Sequence, residues 1–300
     1  MNIYNLGSMN IDYVYQVDHF LQPGETLSSE AMQIFPGGKG LNQSVALGRA
    51  GAYVFHGGFS GNGSEFLIET MESSGVNTGR ICKRPESPGH AIIQVDKTGQ
   101  NCIMLYPGTN HMFTADYIET FLGDAQPGDI LLLQNECDCL EDAFIIAHGK
   151  KLQIAFNPSP FHEKIRDLPL EYVSWWFCNE IEGAALFGST EPNFIADNFA
   201  RMYPESNLIL TLGEEGSMYQ RGRKRIYQAI HPAQVVDTTA AGDTFTGYFL
   251  SAIASEKSVE EALEVASCAS SITVSRPGAA SSIPFLNEVE ERMRFKICQV

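Results

Sequence analysis

Short, continuous apolar runs alternate with helix-like segments along most of this sequence, and the alternation leaves few fold classes open. Residues 129–134 (DILLLQ) are the clearest run, because unbroken apolarity is typical of a strand buried on both faces of a parallel sheet. Similar runs occupy residues 3–7, 152–156, 173–178 and 208–212. The pattern predicts an α/β fold of three layers, α/β/α, with a mainly parallel central sheet covered by helices on both faces.

Two segments depart from this alternation and predict a second, smaller sheet. Residues 12–35 partly alternate apolar and polar side chains around a Pro-Gly turn, and residues 89–106 have the pattern of a hairpin. We expect these two segments to form a small β lid. The α/β domain then comprises residues 1–11, 36–88 and 107–300. Because the lid has a second face that needs cover, the sequence also predicts a homodimer through the lid.

The charge balance and the ends of the chain limit its partners. The chain has 300 residues and a formal net charge of −16, so we expect neither nucleic acid nor an anionic membrane surface as a partner. No apolar run approaches the ~20 residues of a membrane span. The first residues, MNIYNLGSMNIDY, lack the pattern of a signal peptide. With seven scattered cysteines, the chain is expected to be a cytoplasmic protein with reduced thiols.

Residues 237–245 (DTTAAGDTF) join a loop to a strongly apolar helical pattern. Ala240, Ala241 and Gly242 are small residues at the helix start, where free N–H groups and the helix dipole form an anion site. Asp243 stands beside it, and a carboxylate there suits deprotonation of a hydroxyl that attacks a phosphoryl group. A plain helix cap is the structural alternative.

A second glycine-rich stretch, residues 36–44 (PGGKGLNQS), also opens a predicted helix. It is not a Walker A phosphate loop, because Ile34 stands where the first glycine is needed and Gly40 follows Lys39 in place of Ser or Thr. Lys39 and Asn42 on a glycine-lined helix start suit recognition of a polar ligand. A flexible turn with a cap is the competing interpretation.

Polar side chains follow the carboxyl ends of several predicted strands. They are Asn10, Asp12, Glu136, Asn157, Asn179 and Glu182, together with the loop at residues 237–243. One such residue alone is more often part of a turn or a cap. Their recurrence predicts a ligand site at one rim of the sheet, where open α/β sheets bind ligands.

The stretches GGKGLNQSVALGRAG (residues 37–51) and DTTAAGDTFTGYF (237–249) resemble the two signatures of the ribokinase family of carbohydrate kinases, the PfkB family. Further landmarks of that family occur in its order at residues 10–12, 23–26, 157–160, 179–182 and 211–213. The resemblance covers essentially the whole chain. It implies a ribokinase-like fold and an ATP-dependent kinase that acts on a small sugar.

The resemblance also implies roles for individual residues. It makes Asp243 the catalytic base, with an anion hole at Ala240, Ala241 and Gly242. The implied sugar-binding residues are Asn10, Asp12, Gly38, Lys39, Asn42, Glu136 and Asp243. Those implied for ATP and Mg²⁺ are Asn179, Glu182, Thr211, Gly213, Gly216 and Gly242, with Glu182 acting on the metal indirectly. An activating monovalent cation, K⁺, is implied at Asp237, Thr239 and Ser282.

The expected substrate is D-ribose or a close pentose, phosphorylated at its terminal primary hydroxyl. Residues 61–66, His90 and residues 106–110 differ from the usual family pattern near the sugar, so another sugar such as deoxyribose, a ketose or a sugar acid stays open. A nucleoside kinase is a further alternative, since several aromatic residues would be available to a base: Tyr13, Phe20, Phe35 and Tyr106. A sugar sensor without turnover is disfavoured, because it has no use for Asp243 as a base.

Overall fold

The computed structural model describes residues 1–297, and within that range an eight-stranded sheet forms the centre of the protein. Six of its strands run parallel. In spatial order they are β12 (Asn207–Thr211), β11 (Val173–Asn179), β10 (Gln153–Asn157), β9 (Ile130–Gln134), β1 (Ile3–Leu6) and β4 (Val54–Gly57). An antiparallel hairpin, β13 (Ser217–Arg221) and β14 (Lys224–Gln228), extends the sheet beside β12.

Helices cover both faces of this sheet and divide the apolar core in two. One core packs under α1 (Lys39–Arg49), α2 (Glu65–Ser73), α7 (Ala241–Ala254), α8 (Val259–Thr273) and α9 (Leu286–Ile297). The other packs under α3 (Ala115–Phe121), α4 (Leu140–Gly149), α5 (Glu180–Phe187) and α6 (Pro192–Met202). Successive strand residues serve opposite cores, as Ile3 and Tyr4 do, because side chains alternate along a strand. The predicted three-layer α/β/α fold is confirmed.

A separate four-stranded sheet lies beside the central one. Its order is β3 (Ala31–Gly37), β2 (Asn10–Gln16), β7 (Gly89–Val95) and β8 (Asn101–Tyr106). The central pair, β2 and β7, is parallel, and the two outer pairs are antiparallel. A short parallel pair, β5 (Phe59–Ser60) and β6 (Cys82–Lys83), lies elsewhere. The small sheet therefore extends beyond the predicted bounds of residues 12–35, since Asn10 and Ile11 pair with Gly37 and Pro36.

Two helices, α5 and α6, were not expected from the sequence. An Asn-x-x-Glu capping box starts α5, and Pro192 occupies the first turn of α6, so both starts carry local signals that sequence inspection can use. Throughout residues 1–297, the helices fall short of the length and apolarity that crossing a membrane requires.

Candidate active site

Part of the predicted site comes together at the carboxyl ends of the parallel strands, although Asn10, Asp12, Gly38, Asn42 and Glu136 do not line the cleft found there. The cleft, of about 210 Å³, opens against the start of α7. The predicted residues that line it are Lys39, Asn157, Asn179, Glu182, Thr211, Ala240, Ala241, Gly242 and Asp243. The loop residue Thr238 also lines the cleft, although the sequence analysis did not single it out.

The start of α7 presents free N–H groups to this cleft. Ala240 precedes the helix in a left-handed conformation with φ of 59°, which is uncommon for a residue with a side chain. The N–H of Ala241 already donates to Thr238 O at 3.2 Å. The N–H groups of Gly242 and Asp243 have no acceptor among the described residues, as expected for the first turn of a helix. They form an anion-binding end on a 14-residue helix.

The Asp243 carboxylate is buried at 8% exposure and is held by two amide groups from α1. Asn42 Nδ2 donates to Asp243 Oδ2 at 3.1 Å, and Gln43 Nε2 donates to Asp243 Oδ1 at 2.8 Å. Gln43 in turn accepts a bond from Gln134 Nε2 at 2.7 Å. Sequence inspection missed Gln43 and Gln134, although Gln134 ends β9 at the same rim as the predicted residues.

Glu136 caps the start of α1 and organises the loop around Lys39. Its Oε2 accepts bonds from the Ser8 hydroxyl and, at 2.8 Å, from the Lys39 N–H. A carboxylate at a helix N-terminus is favourable because of the helix dipole. Burial raises the pKa of Glu136 above its ordinary value, and the positive charge of Lys39 opposes that shift.

The Lys39 side chain lies among the site's carboxylates. Burial pulls the pKa of Lys39 down, but Asp243, Glu136 and Glu182 together pull it up by more, so its pKa is raised and the ammonium stays charged. Gly38, immediately before the helix, has φ of 91°, a conformation that glycine adopts at low cost. The turn at Gly38 thus places the positively charged Lys39 side chain at the cleft.

Asn10 and Asp12 lie two residues apart on β2, so their side chains share one face of the small sheet. Asn110 Nδ2 donates to Asn10 Oδ1 at 2.7 Å, which leaves the Asn10 NH₂ group as a donor to a ligand. Burial, followed by the charge of Glu136, raises the pKa of Asp12 to about 7. Gly37 lies against Asp12, and a Cβ there would be 2.0 Å from Asp12 Oδ2.

A larger cavity, of about 500 Å³, adjoins the cleft on the other side of the α7 start. Its walls are mainly apolar, with Ile230, Val235, Phe245 and Val274 among them. The predicted nucleotide residues that line it are Asn179, Thr211, Gly213, Gly216 and Gly242. An apolar slot beside an anion-binding helix end matches the shape of a nucleotide, with an aromatic base next to a phosphate chain.

Asn179 and Glu182 form the capping box that begins α5. Glu182 N donates to Asn179 Oδ1, and Asn179 N donates to Glu182 Oε2, both at 2.9 Å. Glu182 is buried at 6% exposure and lines the cleft. Its Oε1 has no hydrogen-bond partner in the described part of the chain, so it is available to a water molecule or a metal ion's hydration shell.

The two segments predicted to hold a monovalent cation are tied to each other. Gly278 N donates to Asp237 Oδ2 at 2.9 Å, and Asp237 Oδ1 accepts from the Thr239 N–H at 2.9 Å and from its hydroxyl at 2.6 Å. Burial tends to raise the pKa of Asp237, but these bonds outweigh it and the pKa is lowered. Ser282 is buried, and its hydroxyl donates to Ala279 O at 2.8 Å.

Comparisons with known proteins identify the family of this chain. The model of the pfkB family of carbohydrate kinases matches residues 2–286. A ribokinase from Haemophilus influenzae is 35% identical over 298 residues, which is 95% of this chain and 96% of that protein. The solved structure of ribokinase from Thermotoga maritima has a TM-score of 0.86 at 34% identity and covers 97% of this chain and 99% of its own.

A third relative is solved with ligands. The Arabidopsis thaliana ribokinase complexed with ribose and ATP has a TM-score of 0.87 at 28% identity, with 97% of both chains covered. The predicted family and the predicted class of ATP-dependent kinase are confirmed by these similarities. This chain belongs to the pfkB family of carbohydrate kinases.

Proposed function

We propose that this protein transfers the γ-phosphoryl group of ATP to the terminal primary hydroxyl of D-ribose and yields ribose 5-phosphate. The observation that carries the proposal is the position of Asp243, a buried carboxylate at a helix start whose N–H groups are free and face a cleft. Support also comes from relatives named ribokinase and from the Arabidopsis thaliana relative complexed with ribose and ATP.

The sugar would lie between the small sheet and the start of α1. In this proposal Asn10 donates to one hydroxyl of the sugar, because its oxygen already accepts a hydrogen bond from Asn110. Asp12 would accept hydrogen bonds from adjacent hydroxyls. The predicted residues Gly38, Lys39, Asn42 and Glu136 would fix the other end of the ring. The primary hydroxyl would then face Asp243.

Transfer needs a base, a stabilised transition state and a leaving group in line. Asp243 would accept the proton of the primary hydroxyl while the hydroxyl oxygen bonds to the γ-phosphorus. The bond from that phosphorus to the β,γ-bridging oxygen would break at the same time and release ADP. The N–H groups of Gly242 and Asp243 would donate to the transferring oxygens, supported by the ammonium of Lys39. Within the proposed anion hole, the N–H groups of Ala240 and Gly242 are open among the described residues, while that of Ala241 donates to Thr238 O.

The nucleotide would place its base in the 500 Å³ cavity and its phosphates at the start of α7. Thr211, Gly213 and Gly216 would line the base and ribose side. Bound Mg²⁺ supplies positive charge to the phosphate oxygens. The free Oε1 of the buried Glu182 suits an indirect role, as an acceptor for metal-bound water.

We also propose that K⁺ activates the enzyme from the loops that hold Asp237, Thr239 and Ser282. The bond from Gly278 N to Asp237 joins those loops, and Asp237 lies just before the start of α7 in the chain, so a bound cation would order the anion hole. The expected result is faster turnover in K⁺ than in tetramethylammonium at equal ionic strength. Equal rates in the two salts would remove this part of the proposal.

A nucleoside kinase is less well supported. Strand pairing places Asp12 beside Phe35 and Ala91, while Tyr13 and Tyr106 lie on the opposite face of the small sheet. A cavity of about 440 Å³ is lined by Tyr106 and His90, but those two residues pair on that opposite face. Three of the aromatic residues considered for a base pocket lie in the strands of the small sheet: Tyr13, Phe35 and Tyr106. Of these three, only Phe35 shares a face with Asp12.

A substrate panel tests the assignment. ATP consumption would be measured with D-ribose, 2-deoxyribose, a ketohexose and adenosine, with a sugar-free reaction as the blank. We expect D-ribose to give the highest kcat/KM, and 2-deoxyribose to be about 5- to 150-fold poorer because it leaves Asp12 short of one donor. A better rate with another acceptor would overturn the assignment to ribose, and no consumption with any would favour a sensor.

A further inference from the structure

A chain of buried side-chain hydrogen bonds leads from Asp243 into the protein interior. Gln43 Nε2 donates to Asp243 Oδ1 at 2.8 Å, and Gln134 Nε2 donates to Gln43 Oε1 at 2.7 Å. The same Gln134 nitrogen donates to Asn5 Oδ1 at 2.9 Å. Each of these four side chains is at most 8% exposed, so water does not compete for the bonds.

The chemistry of the groups fixes the direction of donation. An ionised carboxylate only accepts, so Gln43 presents its NH₂ group to Asp243 and its oxygen to Gln134. Turning the Gln43 amide over would set oxygen against oxygen at Asp243 and NH₂ against NH₂ at Gln134. Both contacts would leave buried polar groups unsatisfied, which is costly.

The far end of the chain is anchored on neutral groups. Asn5 Nδ2 donates to Gly40 O and to Ser44 Oγ, both at 2.8 Å. Ser44 Oγ lies 2.8 Å from His56 Nδ1, and complete burial lowers the pKa of His56 to about 4, which keeps the ring uncharged at neutral pH. The carboxylate of Asp243 is therefore the acceptor to which Gln43 donates, and Gln134 donates in turn to Gln43.

We propose that Gln43 is a positioning residue for Asp243 and that Gln134 orients Gln43. The inference rests on the proposed role of Asp243 as the base. Gln43 does not line the cleft, so it acts through Asp243 and not on the substrate. With Asn42 on Oδ2 and Gln43 on Oδ1, the plane of the carboxylate is fixed, which aims its remaining lone pairs at the attacking hydroxyl.

The main test replaces Gln43 by Met, which is similar in shape and lacks the amide. We expect Gln43→Met to lower kcat by about 10- to 100-fold, the size expected for one lost bond to a buried charge. KM for the sugar should stay within roughly threefold, because the residue acts on the transition state and not on ground-state binding. Gln134→Met should lower kcat less, since Gln43 keeps its bond to Asp243.

A double-mutant cycle separates positioning from a general structural effect. In an Asp243→Asn background the base is already absent, so adding Gln43→Met should change the residual kcat by less than about threefold. The matched control is Ser251→Ala, which removes a buried bond from α7 to the C-terminal cap residue of α1, Ser251 Oγ to Ala50 O at 3.1 Å. That control should lower the melting temperature and leave kcat unchanged.

The outcomes divide cleanly. Wild-type kcat in a folded Gln43→Met protein, or an equal loss in both backgrounds, overturns the positioning role. A Ser251→Ala protein that loses as much kcat as Gln43→Met also overturns it. Full activity of the Asp243→Asn single variant would overturn the proposed function, and not only the positioning role of Gln43. If Gln43→Met does not fold, Gln134→Met measured in both backgrounds decides the question by the same criterion.

Discussion

At the scale of single residues, Asp12 has a strongly raised pKa. Partial burial and the nearby charge of Glu136 raise its pKa from 3.8 to about 7. Because the folded-state pKa lies above the ordinary value, folding favours the protonated form. This contribution to stability is present at low pH and is lost as the pH rises through about 7. Sugar hydroxyls that donate to Asp12 would favour the ionised form instead.

We therefore predict that ribose binding releases protons near pH 7 and strengthens as the pH rises from about 6 to about 8. Titration calorimetry in two buffers with different ionisation enthalpies measures the proton count. Asp12→Asn should abolish the release, which separates Asp12 from its neighbour Glu136. Identical heats in both buffers for the wild-type protein would contradict the prediction.

Some residues of the site were predictable and others were not. Asp243, Lys39 and Glu136 were singled out because their residue types and their places beside helix starts or strand ends suggest chemistry. Gln43 and Asp243 lie 200 positions apart, and only the packing of α1 against α7 brings them together. Asn110 likewise reaches Asn10 across 100 positions. A local sequence pattern cannot predict such contacts between distant residues.

At the scale of elements, α5 and α8 begin with the same capping box in different surroundings. Asn179 and Glu182 cap α5 at the cleft, while Ser258 and Glu261 cap α8 among exposed side chains. The same two reciprocal bonds thus border the proposed nucleotide site in one helix and lie away from it in the other. The pair provides a matched comparison.

We predict that Asn179→Ala and Ser258→Ala each lower the free energy of unfolding by about 1 kcal/mol, the usual value of an N-cap. Only Asn179→Ala should also raise KM for ATP, because Asn179 borders both cavities and holds Glu182 in place. Chemical denaturation and steady-state kinetics check the two parts. An unchanged KM for ATP in Asn179→Ala would show that its cap has no role in nucleotide binding.

The predictable elements are those with a strong period or an unbroken apolar run. The hairpin at residues 89–95 and 101–106 and the strand ending at Gln134 agree with the sequence pattern. Helices α5 and α6 were not predicted, because the prediction used apolar spacing and did not use the capping box of α5 or the proline in the first turn of α6. The parallel pairing of β2 with β7 has no local signal, since it joins segments about 80 residues apart through the fold.

At the scale of the whole molecule, the small sheet carries an exposed apolar patch on the face opposite Asp12. The face opposite Asp12 carries Met32, Ile34, Met104 and Tyr106, each about half exposed or more. Four large apolar side chains on neighbouring strands form a patch of the kind that marks an interface. We keep the proposal that this face packs on a second copy of the chain.

The prediction is a dimer at micromolar concentration in sedimentation experiments. Ile34→Glu combined with Met104→Glu should give a monomer, because two charges per subunit would be buried in the interface. Met202→Glu is the control, since Met202 is 55% exposed on α6 and lies outside the small sheet. A wild-type monomer, or a dimer that survives the double substitution, would contradict the lid interface.

The most direct measurement compares Asp243→Asn with the wild-type protein, with D-ribose and ATP as substrates. The amide keeps the shape of the carboxylate but cannot take the proton of the primary hydroxyl. We expect kcat to fall by roughly 10² to 10⁴, the range for loss of a general base, while calorimetry finds ribose still bound. Turnover near the wild-type rate would contradict the account, because Asp243 would then be only a residue of the helix start.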